Sequence, residues 1–544
     1  MTLPLPVIEQ ESAAITATQR PSTPLIAALL DAAVYPHPVR NLRLIETHIS
    51  WVILTGDFAY KLKKPVDLGF LDFSSLDKRR FYCEEELRLN ARLAPDYYLE
   101  VVSISGSLEQ PVLNGPGDAI EYAVRMRQFP ADNQLDILLG QDKLEPEYLD
   151  AVARLMAGFH QQVAVAGADT DYGEPAAICH AVRENFSQIS QYLQQDAPSA
   201  RLDPLAGWVE ATCSRLRPVF RQRKADGFVR ECHGDMHLRN LAWVEGQPLV
   251  FDCIEFNPQL RWIDVISEIA FLVMDLQDRD RPRLAWRFLN VWLEGTGDYA
   301  GMGLLRFYLL YRAMVRAKVE AIRVTQAGIS AEEKAVVLRE FDGYLQLAGD
   351  YTAAASPGLI ITRGVSASGK STLTQPLLEA LGAIRIRSDV ERKRLFDIQA
   401  ATNMHDGVGA GIYSVTASEQ TYARLVELAG QVLAAGHTVI VDAACLHPQQ
   451  VARFRTLAQS MAVEFVILEF TAPADVLRQR IEQRERGVSD ADRAVLEHQL
   501  SGWQALPADD QPYRIRIDTT SAVDVAALAA EIQSRFSSPG LVTV

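Results

Sequence analysis

Residues 359–382 read LIITRGVSASGKSTLTQPLLEALG. A short apolar run enters a loop, Gly364-Val365-Ser366-Ala367-Ser368-Gly369-Lys370-Ser371, and a helix-forming stretch leaves it. The loop fits GxxxxGK[ST] at every fixed position. Glycines let the backbone curl until its N–H groups face an anion, and the start of the following helix adds a favourable field. Lys370 can bridge the β- and γ-phosphates of a nucleotide, and Ser371 can ligate magnesium. The expected nucleotide contacts are therefore Gly364, Ser366, Ser368, Gly369, Lys370, Ser371 and Thr372. Lys370 is expected to be catalytic as well, and Ser371 to be a metal ligand.

Downstream, strand-like and helix-like segments alternate at 383–387, 414–435, 437–441, 447–460, 463–469, 473–486 and 489–501. That rhythm predicts an α/β domain with a mainly parallel sheet over residues 357–544. The strand AIRIRSD delivers Asp389, a candidate to orient or deprotonate an acceptor hydroxyl. The strand TVIVDA delivers Asp442, a candidate for magnesium positioning or acceptor contact. The helix PADVLRQRIEQRERG carries Arg480 and Arg484 four residues apart on one face, a candidate pair to neutralise charge developing on a transferring phosphate. These features resemble the small-molecule and nucleic-acid-end kinases of the P-loop superfamily over roughly residues 357–530. Residues 397–412, rich in glycine, are where an acceptor pocket is expected to close.

Upstream lies a second motif, Cys232-His233-Gly234-Asp235-Met236-His237-Leu238-Arg239-Asn240, followed by a strand ending in Leu249-Val250-Phe251-Asp252. One carboxylate on such a loop can accept the proton of an attacking hydroxyl. An amide oxygen and a second carboxylate can hold magnesium on nucleotide phosphates. The pattern resembles the aminoglycoside phosphotransferase and choline kinase-like branch of the protein-kinase-like fold. That resemblance implies Asp235 as catalytic base and Asn240 and Asp252 as metal ligands. His233 and His237 are expected to support the loop, since no third ligand is spaced for zinc.

The same resemblance asks for a lysine on an upstream strand and a carboxylate on a helix. AYKLKKP places Lys61 best and Lys63 as its alternative; DKRRFYCEEELRLNARL offers Glu84, Glu85 and Glu86, of which Glu86 is preferred. A glycine-rich loop of GxGxxG type is absent, and Thr55-Gly56-Asp57 offers a shorter turn. Asp264 is expected to brace the catalytic strand region, and Glu255 and Asn257 to approach the site.

A loose arm is expected over residues 1–20, then a helix at 22–31 and two strands across 42–63 joined near Gly56. Extended segments at 98–109 and 120–126 flank a turn-rich insert. From 141 to 350 helices dominate, at 145–167, 177–195, 202–225, 283–296, 303–325 and 331–348, with a strand island at 228–257. The expectation is a bilobal, protein-kinase-like α+β domain over residues 1–350 (small lobe about 20–135, helical lobe about 136–350). YTAAASPG at 351–358 marks the boundary. At 544 residues, two or three cores are expected in any case.

The formal net charge of −15 disfavours general nucleic-acid binding. The six cysteines are scattered without a CxxC pair, predicting reduced core thiols rather than disulfides or zinc. No signal peptide is evident, and the apolar stretch 266–276, broken by Glu268 and Asp275, is too short to span a bilayer, so a cytoplasmic location is expected. The reading that results is a bifunctional enzyme using ATP and Mg2+ to phosphorylate small hydroxylated molecules, with ATPase activity on the side. Two alternatives stand beside it. The P-loop domain could be an ATPase switch acting on a kinase-like domain. One domain could instead be a nucleotide-binding regulatory module fused to a small-molecule or nucleic-acid-end kinase. Oligomeric state is not encoded legibly.

Overall fold

The computed structural model describes residues 14–15, 23–69, 71–193, 198–325, 329–398, 411–483 and 492–537. The chain forms two compact units. The first comprises Met1–Leu155, Phe159–Arg279 and Phe307–Thr352; the second comprises Met156–Gly158, Asp280–Arg306 and Ala353–Val544.

The first unit opens with an antiparallel seven-stranded sheet. Its strands are β1 (Ala14–Ile15), β2 (Arg43–Glu46), β3 (Ser50–Leu54), β4 (Phe58–Lys63), β5 (Tyr98–Gly106), β6 (Pro111–Leu113) and β7 (Glu121–Arg127). They run in the order β1-β2-β3-β4-β7-β5-β6. Residues 42–63 hold three strands where two were expected. The additional turn forms because the Thr47 hydroxyl accepts the Ser50 N–H at 3.0 Å, folding the chain between β2 and β3. Part of the expected loose arm is also ordered, with Ala14 and Ile15 paired to Ile45 and Leu44.

Strand periodicity divides β4 cleanly. Tyr60 and Leu62 join Ile26, Leu44, Ile53 and Ile104 in an apolar cluster. Lys61 and Lys63 point to the other face, where helix Leu76–Asn90 packs against the sheet. Ser75 caps that helix, its hydroxyl accepting the Lys78 N–H.

The rest of the unit is helical, interrupted by two small antiparallel strand pairs. β8 (Val229–Glu231) pairs with β11 (Trp262–Asp264), and β9 (Leu241–Val244) pairs with β10 (Gln247–Val250). The central helix Val265–Asp278 is buried continuously from Val265 to Leu276. It is thus a core helix, and among the described residues no helix is long and apolar enough to cross a membrane. Helices Pro175–Leu193 and Ser199–Ala225 pack together and join Cys179 to Cys213 in a disulfide. This overturns the expectation of reduced thiols. The sequence separation of 34 hides the pairing because a helix pair brings the two positions within 6.1 Å at Cα. Cys83, Cys232, Cys253 and Cys445 are buried and free.

The second unit is built on a five-stranded parallel sheet of β12 (Gly358–Arg363), β13 (Ile384–Arg387), β14 (Val439–Asp442), β15 (Glu464–Thr471) and β16 (Arg514–Asp518). The order is β13-β14-β12-β15-β16, with every pairing parallel. Every residue of β12 is buried, as a central parallel strand covered on both faces requires. The chain leaves β12 toward one side and later returns to its other side. The carboxyl end of β12 is therefore the switch point where open α/β sheets bind ligands. The helix Pro282–Thr296, which the sequence reading groups with the helical run before it, belongs by contact to this second unit.

Candidate active sites

In the first unit five side chains from separated segments meet. Lys61 Nζ stands 2.6 Å from Asp252 Oδ1 and 2.8 Å from Glu86 Oε1. Lys63 Nζ lies 2.7 Å from Glu86 Oε2 and also contacts Glu255. The strand period puts both lysines on one face, and the helix Leu76–Asn90 presents Glu86 between them. The other two carboxylates of that helix point elsewhere: Glu84 pairs with Arg80, and Glu85 with Arg88 and Arg261.

The two lysines differ in access. The Lys63 side chain is 0% exposed, against 15% for Lys61. Burial would raise the Glu86 pKa, but Lys61 and Lys63 outweigh it and hold the carboxyl at about 2. Burial would likewise strip the proton from Lys61, yet Asp252, Glu86 and Glu255 keep its pKa well above the ordinary lysine range. Glu255 is pushed upward by burial and by Glu86, with Lys63 opposing.

The loop at 232–240 is held by hydrogen bonds to buried groups. Gly234 has φ +92, and a Cβ there would meet the Leu260 carbonyl at 2.9 Å, so only glycine fits. The N–H groups of His233 and Gly234 donate to Glu268 at 3.0 Å each. His233 Nε2 lies 2.7 Å from the Phe251 carbonyl, and its Nδ1 accepts the Asp235 N–H, so the ring ties the loop to the strand end. Asn240 Nδ2 donates to both the carbonyl and the carboxylate of Asp235, each at 3.0 Å. His237 Nε2 sits 3.3 Å from the same carboxylate. Asp252 adopts φ +65, a left-handed conformation that Asp tolerates better than most residues.

The outer supports escaped the sequence reading. The Asp252 N–H donates to the Tyr98 hydroxyl at 3.1 Å, and the Cys253 N–H to Asn90 Oδ1 at 2.8 Å. Arg312 donates to the Ser267 and Gly234 carbonyls, and Asp275 accepts the Leu238 N–H. No motif signals these partners. Asp264 caps the helix Val265–Asp278 and pairs with buried Arg223, bracing β11 beside β8. Asn257 caps the short helix Pro258–Arg261 instead of approaching the site. The turn Thr55-Gly56-Asp57 lies at the end of β3 remote from Lys63, because Leu54 pairs with Ala59 and Ser50 with Lys63. The turn at the lysine end is Thr47-His48-Ile49.

In the second unit, residues 364–371 follow β12 and enter the helix Lys370–Leu381. Ala367 at φ +62 and Gly369 at φ +88 supply the left-handed steps that curl the loop. Lys370 Nζ donates to the Gly364 and Val365 carbonyls, each at 2.8 Å. Ser371 and Thr372 are exposed on the first turn of the helix. Val365 packs with Leu477 and Leu496, and the Ser366 N–H donates to Gln499 at 2.6 Å, contacts the sequence reading missed.

Asp442 ends β14, buried, and lies in register with Arg387 of β13. Asp389 stands two residues beyond Arg387, in the first turn of helix Ser388–Leu395. Burial works against the Arg387 cation, but Glu294, Asp442 and Asp389 outweigh it. Arg480 donates to the Thr519 hydroxyl at 2.9 Å and reaches the Ala367 carbonyl at 3.5 Å. Arg484, and residues 399–410 of the expected acceptor segment, lie outside the described residues.

Among the described residues no cluster of three or more His, Cys, Asp or Glu is arranged to hold a metal. Magnesium on a nucleotide needs no such cage, since one or two carboxylates complete a shell of water and phosphate oxygens. The donor set of Asn240 and Asp252 in the first unit, and of Ser371 and Asp442 in the second, fits that requirement.

Family models match the chain twice. Residues 126–305 match the phosphotransferase enzyme family, and residues 359–506 match an AAA domain. Uncharacterized proteins of Mycobacterium tuberculosis and Mycobacterium bovis are 32% identical over 464 residues, covering 85% of this chain and 90% of theirs. Among solved structures, a choline kinase from Cryptosporidium parvum is 10% identical, covering 60% of this chain and 94% of its own, with a TM-score of 0.39. A gluconokinase from Sinorhizobium meliloti is 20% identical, covering 34% and 93%, with a TM-score of 0.24. The chain thus joins a kinase-like phosphotransferase domain to an α/β P-loop domain.

Proposed function

The chain belongs to the family of these mycobacterial proteins, and on that premise we propose a bifunctional phosphotransferase that moves phosphoryl groups from ATP to hydroxyl groups of small molecules at two centres. The observation that carries the reading is the convergence on Asp252. Lys61 reaches it from β4, while Asn240 and Asp235 are locked together on the loop that precedes it. Kinase-type phosphoryl transfer asks for a cation on the nucleotide phosphates, a metal-holding pair and a base near the acceptor.

In the first centre, Lys61 supports the phosphates and Glu86 holds Lys61 in place. Asp235 receives the acceptor's proton, its carboxylate oriented by Asn240. Asn240 and Asp252 would hold magnesium, which when bound neutralises charge on the phosphate oxygens. In the second centre, the backbone N–H groups of residues 364–371 cradle phosphate and Lys370 bridges its outer oxygens. Ser371 and Asp442 stand on the metal side, and Asp389 faces the acceptor. Arg480, tied to the loop carbonyl of Ala367, supplies positive charge as the transfer proceeds.

A phosphoryl-acceptor screen with labelled ATP tests this. It uses wild type, Lys370→Ala and Asp235→Asn. Asp235→Asn is expected to lower first-centre transfer by about 10²–10⁴-fold, the worth of a positioned general base, while sparing the second. Lys370→Ala is expected to do the reverse. Labelled product that survives both substitutions at wild-type rate would overturn the reading.

A further inference from the structure

The acceptor-side edge of the P-loop unit is completed by residues far upstream of the loop. Strand β13 is the outermost strand of the sheet, so one side of its backbone has no neighbouring strand. Asn290, on helix Pro282–Thr296 and 1% exposed, takes that place. Its Nδ2 donates to the Ala383 carbonyl at 3.0 Å, and its Oδ1 accepts the Arg385 N–H at 2.7 Å. One turn further along the helix, Glu294 meets both β13 arginines. Arg385 donates to Glu294 Oε1 at 2.8 Å, and Arg387 to Oε2 at 3.3 Å.

From Arg385 the contacts continue inward. Arg385 Nη1 donates to the Thr374 hydroxyl at 3.4 Å, and that hydroxyl stands 3.3 Å from the Ser371 carbonyl and 3.4 Å from Asp442 Oδ2, the two acceptors within reach of its proton. Thr374 sits one turn below Lys370 on the loop's own helix. Parallel register puts Arg387, Arg385 and Asp442 on one face of the sheet. A buried path therefore runs Glu294–Arg385–Thr374–Asp442, with Arg387 held beside Asp442 by the same carboxylate.

We propose that Glu294 is a positioning residue of the P-loop centre, setting Asp442 through Arg385 and Thr374 and so tuning that centre's hold on magnesium. The inference rests on the reading of residues 364–371 and Asp442 given above. Removing the Glu294 charge frees two arginines beside Asp442. Arg385 no longer holds the Thr374 hydroxyl, and Arg387 turns toward the Asp442 carboxylate and competes with the metal. Backbone N–H groups, which grip phosphate independently, are untouched.

The test uses the full chain carrying Lys61→Met and Asp252→Asn, which together silence nucleotide binding at the first centre, and a fluorescent ATP analogue titrated with and without Mg2+. Glu294→Gln is expected to raise the half-saturating Mg2+ concentration about tenfold, the usual size of an outer-shell loss, with metal-free analogue affinity unchanged. Thr374→Val is expected to give the same shift and Thr374→Ser to restore the parent value. The Thr374 pair carries the test if Glu294→Gln does not fold by circular dichroism. Parent-like Mg2+ titrations in Glu294→Gln and Thr374→Val overturn the inference alone. A parent protein without analogue binding that depends on Lys370 overturns the P-loop reading, and the inference with it.

Discussion

Lys63→Met separates the two lysines of β4. Methionine keeps the length of the buried stem and removes the charge. In the wild type that charge is enclosed by Glu86 and Glu255 and lies 4.9 Å from the Phe73 ring centre. Removing one partner of a fully buried ion pair costs about 3–5 kcal/mol. Glu255 sets the lower end of that range here. Burial and Glu86 already push its pKa up, so without Lys63 it takes a proton instead of keeping an unpaired charge. A loss of about 3 kcal/mol follows. With a urea slope of about 3 kcal/mol per molar, the midpoint falls by about 1 M. The sign with pH is fixed by the same carboxyl. A carboxyl whose folded pKa is raised destabilises the fold only where it must be ionised. The deficit should be smallest near the ordinary glutamate pKa of 4.5 and grow as pH rises above it. Hydrogen exchange read by mass spectrometry on peptides from β4 and helix Leu76–Asn90, across a urea series, isolates this unit from the other. Lys61→Met, at the partly exposed lysine, is expected to lower the midpoint less than Lys63→Met, because Lys63 still pairs Glu86, and to lose nucleotide affinity as well. Equal midpoints for Lys63→Met and wild type, or a pH dependence of opposite sign, would refute the reasoning.

Glu86→Gln addresses the same cluster from the acid side. The Glu86 carboxyl is held at about 2 against an ordinary 4.5, a gap worth about 3 kcal/mol of stability that is present above pH 4.5 and lost as pH falls through about 2. Wild type and variant should therefore differ at neutral pH and converge in acid, as followed by equilibrium unfolding at stepped pH. Gly369→Ala forces a side chain into φ +88, with its Cβ 3.3 Å from Thr519. Left-handed backbone costs a non-glycine residue about 1–2 kcal/mol, so ADP affinity at this loop should drop about tenfold in calorimetry.

The P-loop domain was legible because its determinants are contiguous. A buried strand, a curled loop and a helix follow one another within residues 358–381, and strand–helix alternation implies a parallel sheet. The kinase-like domain was legible for a related reason, since Asp235, Asn240 and Asp252 lie on one loop and the next strand. The choice among Glu84, Glu85 and Glu86 turned on helix phase, and the structure sets Glu86 between the lysines. What could not be read depends on long-range side-chain contacts. Asn290 standing in for a strand beside Arg385, Cys179 meeting Cys213 across a helix pair, and Tyr98 taking the Asp252 N–H have no local pattern. The turn at Thr47 escaped because Thr-His-Ile carries neither glycine nor proline.

Nucleotide stoichiometry tests the central claim most directly. Calorimetric titration of the full chain with a non-hydrolysable ATP analogue and Mg2+ should give two bound per chain. Either Lys370→Ala or the pair Lys61→Met with Asp252→Asn should leave one, and all three together none. A wild-type chain that binds one analogue, or a triple variant that still binds two, would contradict it.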